Sequence, residues 1–261
     1  MINQIYCADS LEFLPKITAN SVDLVITSPP YSDLRSYQGS LDFTKEVFQS
    51  LAQELCRIIK VGGVIVWVVG DKTVDGSETG DSFRQVLYFQ ELGLKIWDTM
   101  IFEKHNFANP STNRYHQIFE YQFILSKGKI NTFNPIKDIP SVMYGKTNWG
   151  KNTIRRGDEL VELPKKEYKN EFGMRRNIWK YSTGGTSDKD NKLACKHPAK
   201  FPIKLAEDHI KSWTNAGDLV LDPMCGGGTS CVAAKKLGRN YIGVDKVQDY
   251  CDIAKERLKL I

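Results

Sequence analysis

Leu219-Val220-Leu221-Asp222-Pro223-Met224-Cys225-Gly226-Gly227-Gly228-Thr229 reads as a short buried strand that runs into a glycine-rich turn and then a helix. Glycines at such a turn tolerate positive φ and let the backbone approach a ligand closely. The next strand pattern, Tyr241 to Asp245, ends on a carboxylate about 20 positions further on, where an acidic side chain can hold ribose hydroxyls. Dinucleotide-binding proteins share this layout, so it points to a nucleoside without naming the cofactor. A plain β–α turn with an aspartate at the strand end is the competing reading.

Outward from this stretch, strand and helix patterns alternate. Pro202 to Trp213 and Thr229 to Leu237 are helical, and Asp249 to Leu260 is the last helix. Near the start, Val22 to Thr27 is a buried strand. Phe43 to Ile59 is an amphipathic helix with Val47, Leu51, Leu55 and Ile58 on one face, ended by Gly62-Gly63. Val64 to Val69 is a β-branched strand, Ser82 to Leu92 a helix, and Ile96 to Phe102 and Ile118 to Leu125 two more strands. This alternation implies an α/β fold, a mostly parallel sheet with helices on both faces. The stretch from Gly128 to Cys195 has no sustained period and reads as an insert.

The strand Val22 to Thr27 runs straight into Ser28-Pro29-Pro30-Tyr31. Two prolines fix φ and remove two backbone donors, which leaves carbonyls exposed at the strand's end. A carbonyl beside a serine hydroxyl is an acceptor pair for the hydrogens of an amino group. The tyrosine offers a flat face for stacking a base. A rigid turn with a packing tyrosine is the alternative.

Thr27 to Tyr31 resembles the Ser/Asp-Pro-Pro-Tyr signature of DNA methyltransferases that methylate exocyclic amino groups. Asp222 to Thr229 resembles their cofactor loop, with Met224 in place of the usual Phe and Gly227 where Ser is frequent. His197-Pro198-Ala199-Lys200-Phe201-Pro202 resembles the element preceding that loop in their β class. Asn3 to Leu14, with Asp9, is similar to the family's opening segment, although Ala8 replaces a usual Gly. Arg175-Arg176-Asn177-Ile178-Trp179 is similar to a stretch that follows the target-recognition insert.

The resemblance implies a circularly permuted seven-stranded S-adenosylmethionine-dependent methyltransferase sheet, with Ile2 to Tyr6 supplying a strand after the last helix. It divides the chain into a catalytic half (1–127), a target-recognition insert (128–195) and a cofactor-binding half (196–261). It further implies that Ser28, Pro29, Pro30 and Tyr31 are catalytic. Asp9, Asp222, Asp245 and Pro223, Met224, Cys225, Gly226, Gly228 and Thr229 would bind S-adenosyl-L-methionine, with His197 or Lys200 meeting its carboxylate. Ser28 and His-Pro-Ala-x-Phe-Pro lean toward N4 of cytosine over N6 of adenine. The implied partner is double-stranded DNA, with a separate cognate restriction endonuclease and a monomer or homodimer in view. A glutamine-methylating enzyme has an Asn-Pro-Pro-Tyr turn and the opposite motif order. A ring-carbon methylase needs a cysteine in the catalytic turn, and none is there. A non-catalytic DNA-binding descendant would not need Ser28, Tyr31, Asp222 and Asp245 intact.

Between Met143 and Lys180, ten basic residues face five acidic ones, a surplus equal to the whole chain's +5. Arg155, Arg156, Lys165, Lys166, Arg175 and Arg176 lie among Tyr144, Trp149, Tyr168, Phe172 and Trp179. This mixture suits phosphate contacts and base reading, a solvated basic loop being the alternative. Elsewhere the composition is that of a globular chain: 41% of the 261 residues are hydrophobic, enough for a sizeable core. Six cysteines without a Cys-x-x-Cys pair suggest reduced thiols and no metal site. With no apolar run long enough to span a membrane and no secretory leader pattern, the expected location is cytoplasmic.

Overall fold

A computed structural model describes residues 1–261 apart from 31–42, 107–111, 147–151, 164–166, 183–188 and 195–201. Two compact units emerge, one of 1–134 with 177–261 and one of 135–176. In chain order the first begins with β1 (Gln4–Cys7), α1 (Ser10–Phe13), β2 (Val22–Thr27), α2 (Lys45–Ile58) and β3 (Ile59–Val69). It continues with a hairpin of β4 (Thr73–Val74) and β5 (Ser77–Glu78), then α3 (Asp81–Glu91), β6 (Lys95–Lys104) and β7 (Phe119–Ser126). The second unit holds β8 (Lys137–Pro140), β9 (Asn152–Arg156), β10 (Glu159–Leu163) and β11 (Phe172–Met174). The chain returns to the first unit with β12 (Ile178–Tyr181), α4 (Lys189–Ala194), α5 (Ile203–Trp213) and β13 (Leu219–Asp222). It closes with α6 (Thr229–Lys236), β14 (Asn240–Asp245) and α7 (Gln248–Lys259). Among the described residues no helix is long and apolar enough to cross a membrane.

The main sheet has the order β1-β14-β13-β2-β3-β7-β6-β12. Among the described residues, only β7 runs antiparallel to its neighbours in this sheet. Every strand and helix pattern read from the sequence in 1–127 and 202–260 has its counterpart here. The first strand pairs with the last, Cys7 opposite Asp245, as the permuted order requires. Two expectations change. The sheet has eight strands, because β12 adds in parallel to the outer edge of β6 with Ile178 opposite Ile101. The glycine pair does not end α2. The helix stops at Ile58, and Gly62, at φ 81°, sits inside β3 where the register with β2 slips. Its N–H donates to the Lys127 carbonyl at 2.7 Å, so the glycine makes a bulge rather than a cap.

Strands buried on both faces explain the β-branched runs. Leu24, Val25 and Ile26 of β2 and Ile65 to Val68 of β3 are fully buried or nearly so. On one face α2 and α3 deliver Phe48 and Phe89 against Trp67, with ring centroids 5.9 and 5.3 Å away. Trp67 still satisfies its indole N–H, which donates to Gln85 at 2.8 Å. On the other, α5 contributes His209, whose ring is fully buried. Burial holds its pKa down to about 3. Its Nδ1 accepts from Trp213 at 3.3 Å, so the proton sits on Nε2 and is donated to Gln122 of β7 at 2.6 Å. This neutral imidazole is part of the core.

The packing around β14 leaves no spare volume. A Cβ on Gly243 would lie 2.5 Å from Ile5 Cδ1, 2.7 Å from Cys231 Sγ and 3.1 Å from Cys225 Sγ. Gly243→Ala is therefore expected to destabilise the protein by about 1–3 kcal/mol through overpacking. Adding Cys231→Ala should return part of that loss. Urea titrations of the two variants check this, and an unshifted midpoint for Gly243→Ala would contradict it.

Candidate active site

Four adjacent parallel strands, β1, β14, β13 and β2, end at one edge of the sheet. Beyond β13 the chain turns toward β14 and β1, and beyond β2 toward β3. The β13–β2 pair, with Leu221 opposite Val25, is thus the switch point at which α/β sheets open a crevice. Asp222 ends β13 and Ser28 follows β2 at this point. Asp245 follows one strand over, and Asp9 lies two residues past the end of β1.

The glycine turn is tied down from several sides. The Cys225 N–H donates to the Val244 carbonyl at 2.9 Å, and the Gly228 N–H donates to the Cys225 carbonyl at 2.7 Å. Gly226, at φ 49°, donates its N–H to Asp245 Oδ2 at 2.8 Å. The other oxygen of Asp245 accepts from Val247 N–H at 2.9 Å. Ser10 Oγ donates to the Pro223 carbonyl from the opening segment. Gly228 is the N-cap of α6 at φ 75°, and a Cβ there would come within 2.6 Å of Ala254 Cβ. Both φ and space demand glycine at this position.

Asp222 is buried and well bonded: Ser230 Oγ donates to Oδ2 at 2.5 Å and Met224 N–H to Oδ1 at 3.1 Å. Burial nevertheless pushes its pKa up to about 6, opposed by these hydrogen bonds and by Thr27, and reinforced by the nearby charge of Asp245. The Thr27 hydroxyl lies against this carboxylate, yet it has no hydrogen-bond partner of regular geometry among the described residues. Asp9 is the N-cap of α1, accepting from Leu11 N–H at 2.8 Å. Among the described residues, none of these three carboxylates is in a salt bridge. A cationic ligand suits such a set.

Of the residues singled out in the sequence, Ser28, Pro29 and Pro30 follow β2 directly, with Pro29 buried. Pro223 to Thr229 form the turn that joins β13 to α6. Tyr31, Lys165, Lys166, His197 and Lys200 lie outside the described residues. In the second unit Arg155 and Arg156 are exposed on the β9–β10 hairpin, and Arg176 is exposed beyond β11. Arg175 donates through Nε to Asp138 at 2.8 Å and pairs with it again through Nη2. Sequence reading missed Ser10, Ser230 and Arg257, all of which touch the turn or its aspartate. Only Arg257 left a signal, a charged residue at a position of the last helix where the apolar period calls for a hydrophobic one.

A family model described as DNA methylase, N6_N4_Mtase, matches residues 22–256. The chain belongs to this family. It is accordingly an S-adenosylmethionine-dependent methyltransferase acting on DNA. It is 52% identical over 240 residues to the orphan methyltransferase M.BamHII of Bacillus amyloliquefaciens, covering 92% of this chain and 89% of that one. The type II methyltransferase M.HpaI of Haemophilus parainfluenzae is 27% identical over 99% of this chain and 74% of its own. Among solved structures, the cytosine-N4-specific PvuII DNA methyltransferase superposes with a TM-score of 0.71 at 23% identity, covering 97% of this chain and 85% of that one. The M1.HpyAVI–SAM complex gives 0.62 at 23%, over 98% of both chains. These likenesses extend to the fold of the methyltransferase sheet.

The raised pKa of Asp222 has a measurable consequence. A carboxyl whose folded-state pKa is raised loses stability as pH climbs from the ordinary 3.8 through about 6, because the folded protein must then bury a charge. At about 1.4 kcal/mol per pH unit the effect reaches about 3 kcal/mol. Asp222→Asn is expected to gain stability relative to the wild type between pH 4 and pH 7, in the absence of ligand. Thermal melts across that range check it. A difference between the two proteins that does not change with pH would show that Asp222 is ionised at no cost.

Proposed function

We propose that this DNA methylase transfers the methyl group to N4 of cytosine in a base swung out of duplex DNA, as part of a modification system. Transfer to an exocyclic amino group is supported by the pairing of β2 with β13, whose following turns begin with Ser28-Pro29 and with Asp222 at one edge of the sheet. The cytosine-N4 specificity named for the PvuII enzyme supports it.

The amino nitrogen of cytosine is a poor nucleophile because its lone pair is delocalised into the ring. Ser28 Oγ and the Pro29 carbonyl accept its two hydrogens, which favours a pyramidal nitrogen and directs its lone pair. The fixed φ of Pro29 and Pro30 keeps this turn rigid. The cofactor supplies an electrophilic methyl on a sulfonium sulfur when bound. Asp222 and the Gly226 to Gly228 turn hold its methionine portion, Asp245 its ribose and Asp9 its adenine. The sulfonium and ammonium charges offset the cost of ionised Asp222. Swinging out the base costs a few kcal/mol, and stacking on Tyr31 returns roughly 1–3 kcal/mol of it.

Nucleoside mass spectrometry of DNA treated with the enzyme and cofactor tests the reading directly. N4-methylcytosine is the expected product, and N6-methyladenine as the sole product would overturn the cytosine assignment. Ser28→Ala should lower kcat roughly 10- to 100-fold, the value of one hydrogen bond strengthened at the reacting nitrogen, with cofactor affinity kept.

The second unit provides phosphate contacts. On the β9–β10 hairpin neighbouring residues point to opposite faces, so Arg155 and Arg156 do not act as a pair. Arg156 lies across from Glu159, which offsets its charge, whereas Arg155 lies across from Leu160. Arg155→Gln is therefore expected to flatten the slope of log affinity against log salt by about 0.9, and Arg156→Gln to change it much less. Fluorescence-anisotropy titrations at several salt concentrations distinguish the two. Equal slopes in both variants and the wild type would remove this hairpin from the DNA surface.

A further inference from the structure

The Gly227–Gly228 peptide is held at both ends. Its N–H donates to the Cys225 carbonyl at 2.7 Å, and its carbonyl accepts from Arg257 Nη1. The same guanidinium nitrogen also donates to Thr229 Oγ1 at 3.1 Å. Arg257 is only 2% exposed and stands on α7, three residues after Ala254, the residue that closes against Gly228. Residues three apart share a helix face, so one face of α7 backs the Gly227-to-Thr229 end of the turn. That face continues to Cys251, whose Sγ lies 3.3 Å from the carbonyl oxygen of Asp245.

A buried guanidinium is a poor choice for stability alone. Its desolvation costs more than a well-packed apolar side chain would. It also places a positive charge at the N-terminus of α6, where the helix dipole is already positive. We propose that Arg257 is a positioning residue for the cofactor: it draws the Gly227 carbonyl inward and so sets the turn in the conformation that receives the methionine portion of S-adenosylmethionine. This rests on the reading of the turn as the cofactor site. Arg257 touches neither the methyl group nor the base in this scheme. It acts through the turn.

The proposal separates two halves of the ligand. Calorimetric titration of the full chain with S-adenosylhomocysteine and with adenosine reads them apart. Arg257→Met should lose about tenfold in affinity for S-adenosylhomocysteine, the value of one hydrogen bond to a charged group, with adenosine affinity changed less than about twofold. Arg257→Lys, which keeps a charged donor, should recover part of the loss. Because the Met variant can fail to fold, hydrogen exchange of Arg257→Lys provides a second measurement. Amides of 224–230 should exchange faster than in the wild type, and those of β13 should not. Equal weakening of both ligands, or unchanged affinity for both, would overturn the proposal. Asp245→Ala serves as the control for the site itself. If that variant binds S-adenosylhomocysteine normally, the cofactor site has been misplaced; if it binds weakly while Arg257 variants bind normally, only the role of Arg257 fails.

Discussion

The pairing of β13 with β2 joins the two halves of the main sheet, and the candidate active site depends on it. Val220 and Leu221 lie opposite Leu24 and Val25, nearly 200 positions away in sequence, and all four side chains are buried. Asp23 reinforces the seam: one carboxylate oxygen accepts from Leu219 N–H at 2.9 Å and the other from Lys60 Nζ at 2.6 Å. Closing a loop of this length is entropically costly, and the apolar strand faces must offset that cost. Once they do, the Ser28 turn and the Asp222 turn are neighbours by construction. A slip of one residue would move every side chain of the strand to the opposite face.

The same seam sets the electrostatics. Strand ends buried between helices bring Asp222 into a dry environment, and adjacent strands bring Asp245 close enough to raise its pKa further. The protein spends its hydroxyls and amides there. Ser230, Met224 and Val247 satisfy the two carboxylates with neutral donors. Neutral donors stabilise a carboxylate without cancelling its charge, so the turn keeps the negative field that the proposed cofactor role calls for.

Much of this was legible beforehand because it is local. The β-branched run of Ile65 to Val68, the helical spacing of Leu51, Leu55 and Ile58, and the glycines after Asp222 each express a backbone preference within a few residues. The order of the motifs then defined a permuted sheet. What failed to show depends on distant partners. Ile178-Trp179-Lys180-Tyr181 alternates exposed and buried, but four residues carry too little pattern to mark a strand, and its partner β6 lies more than 70 positions upstream. Gly62-Gly63 looked like a helix stop because the bulge it makes is stabilised by Lys127, which no local pattern reveals.

The sequence by itself determined the fold class, the alternation of elements, the residue types of the two turns and the family they resemble, since those rest on residue type and short-range period. Only the tertiary structure decided which groups those residues meet. It set Arg155 and Arg156 on opposite faces of a hairpin, gave Asp9 a helix to cap, and drew the Arg175 charge onto Asp138. It also turned Arg257, an apparent interruption in an apolar helix face, into the backing of the glycine turn. The physical reason is one of range. Backbone preference acts over a few residues, whereas hydrogen bonds and charge interactions need partners within a few ångströms, and folding alone supplies those across hundreds of positions.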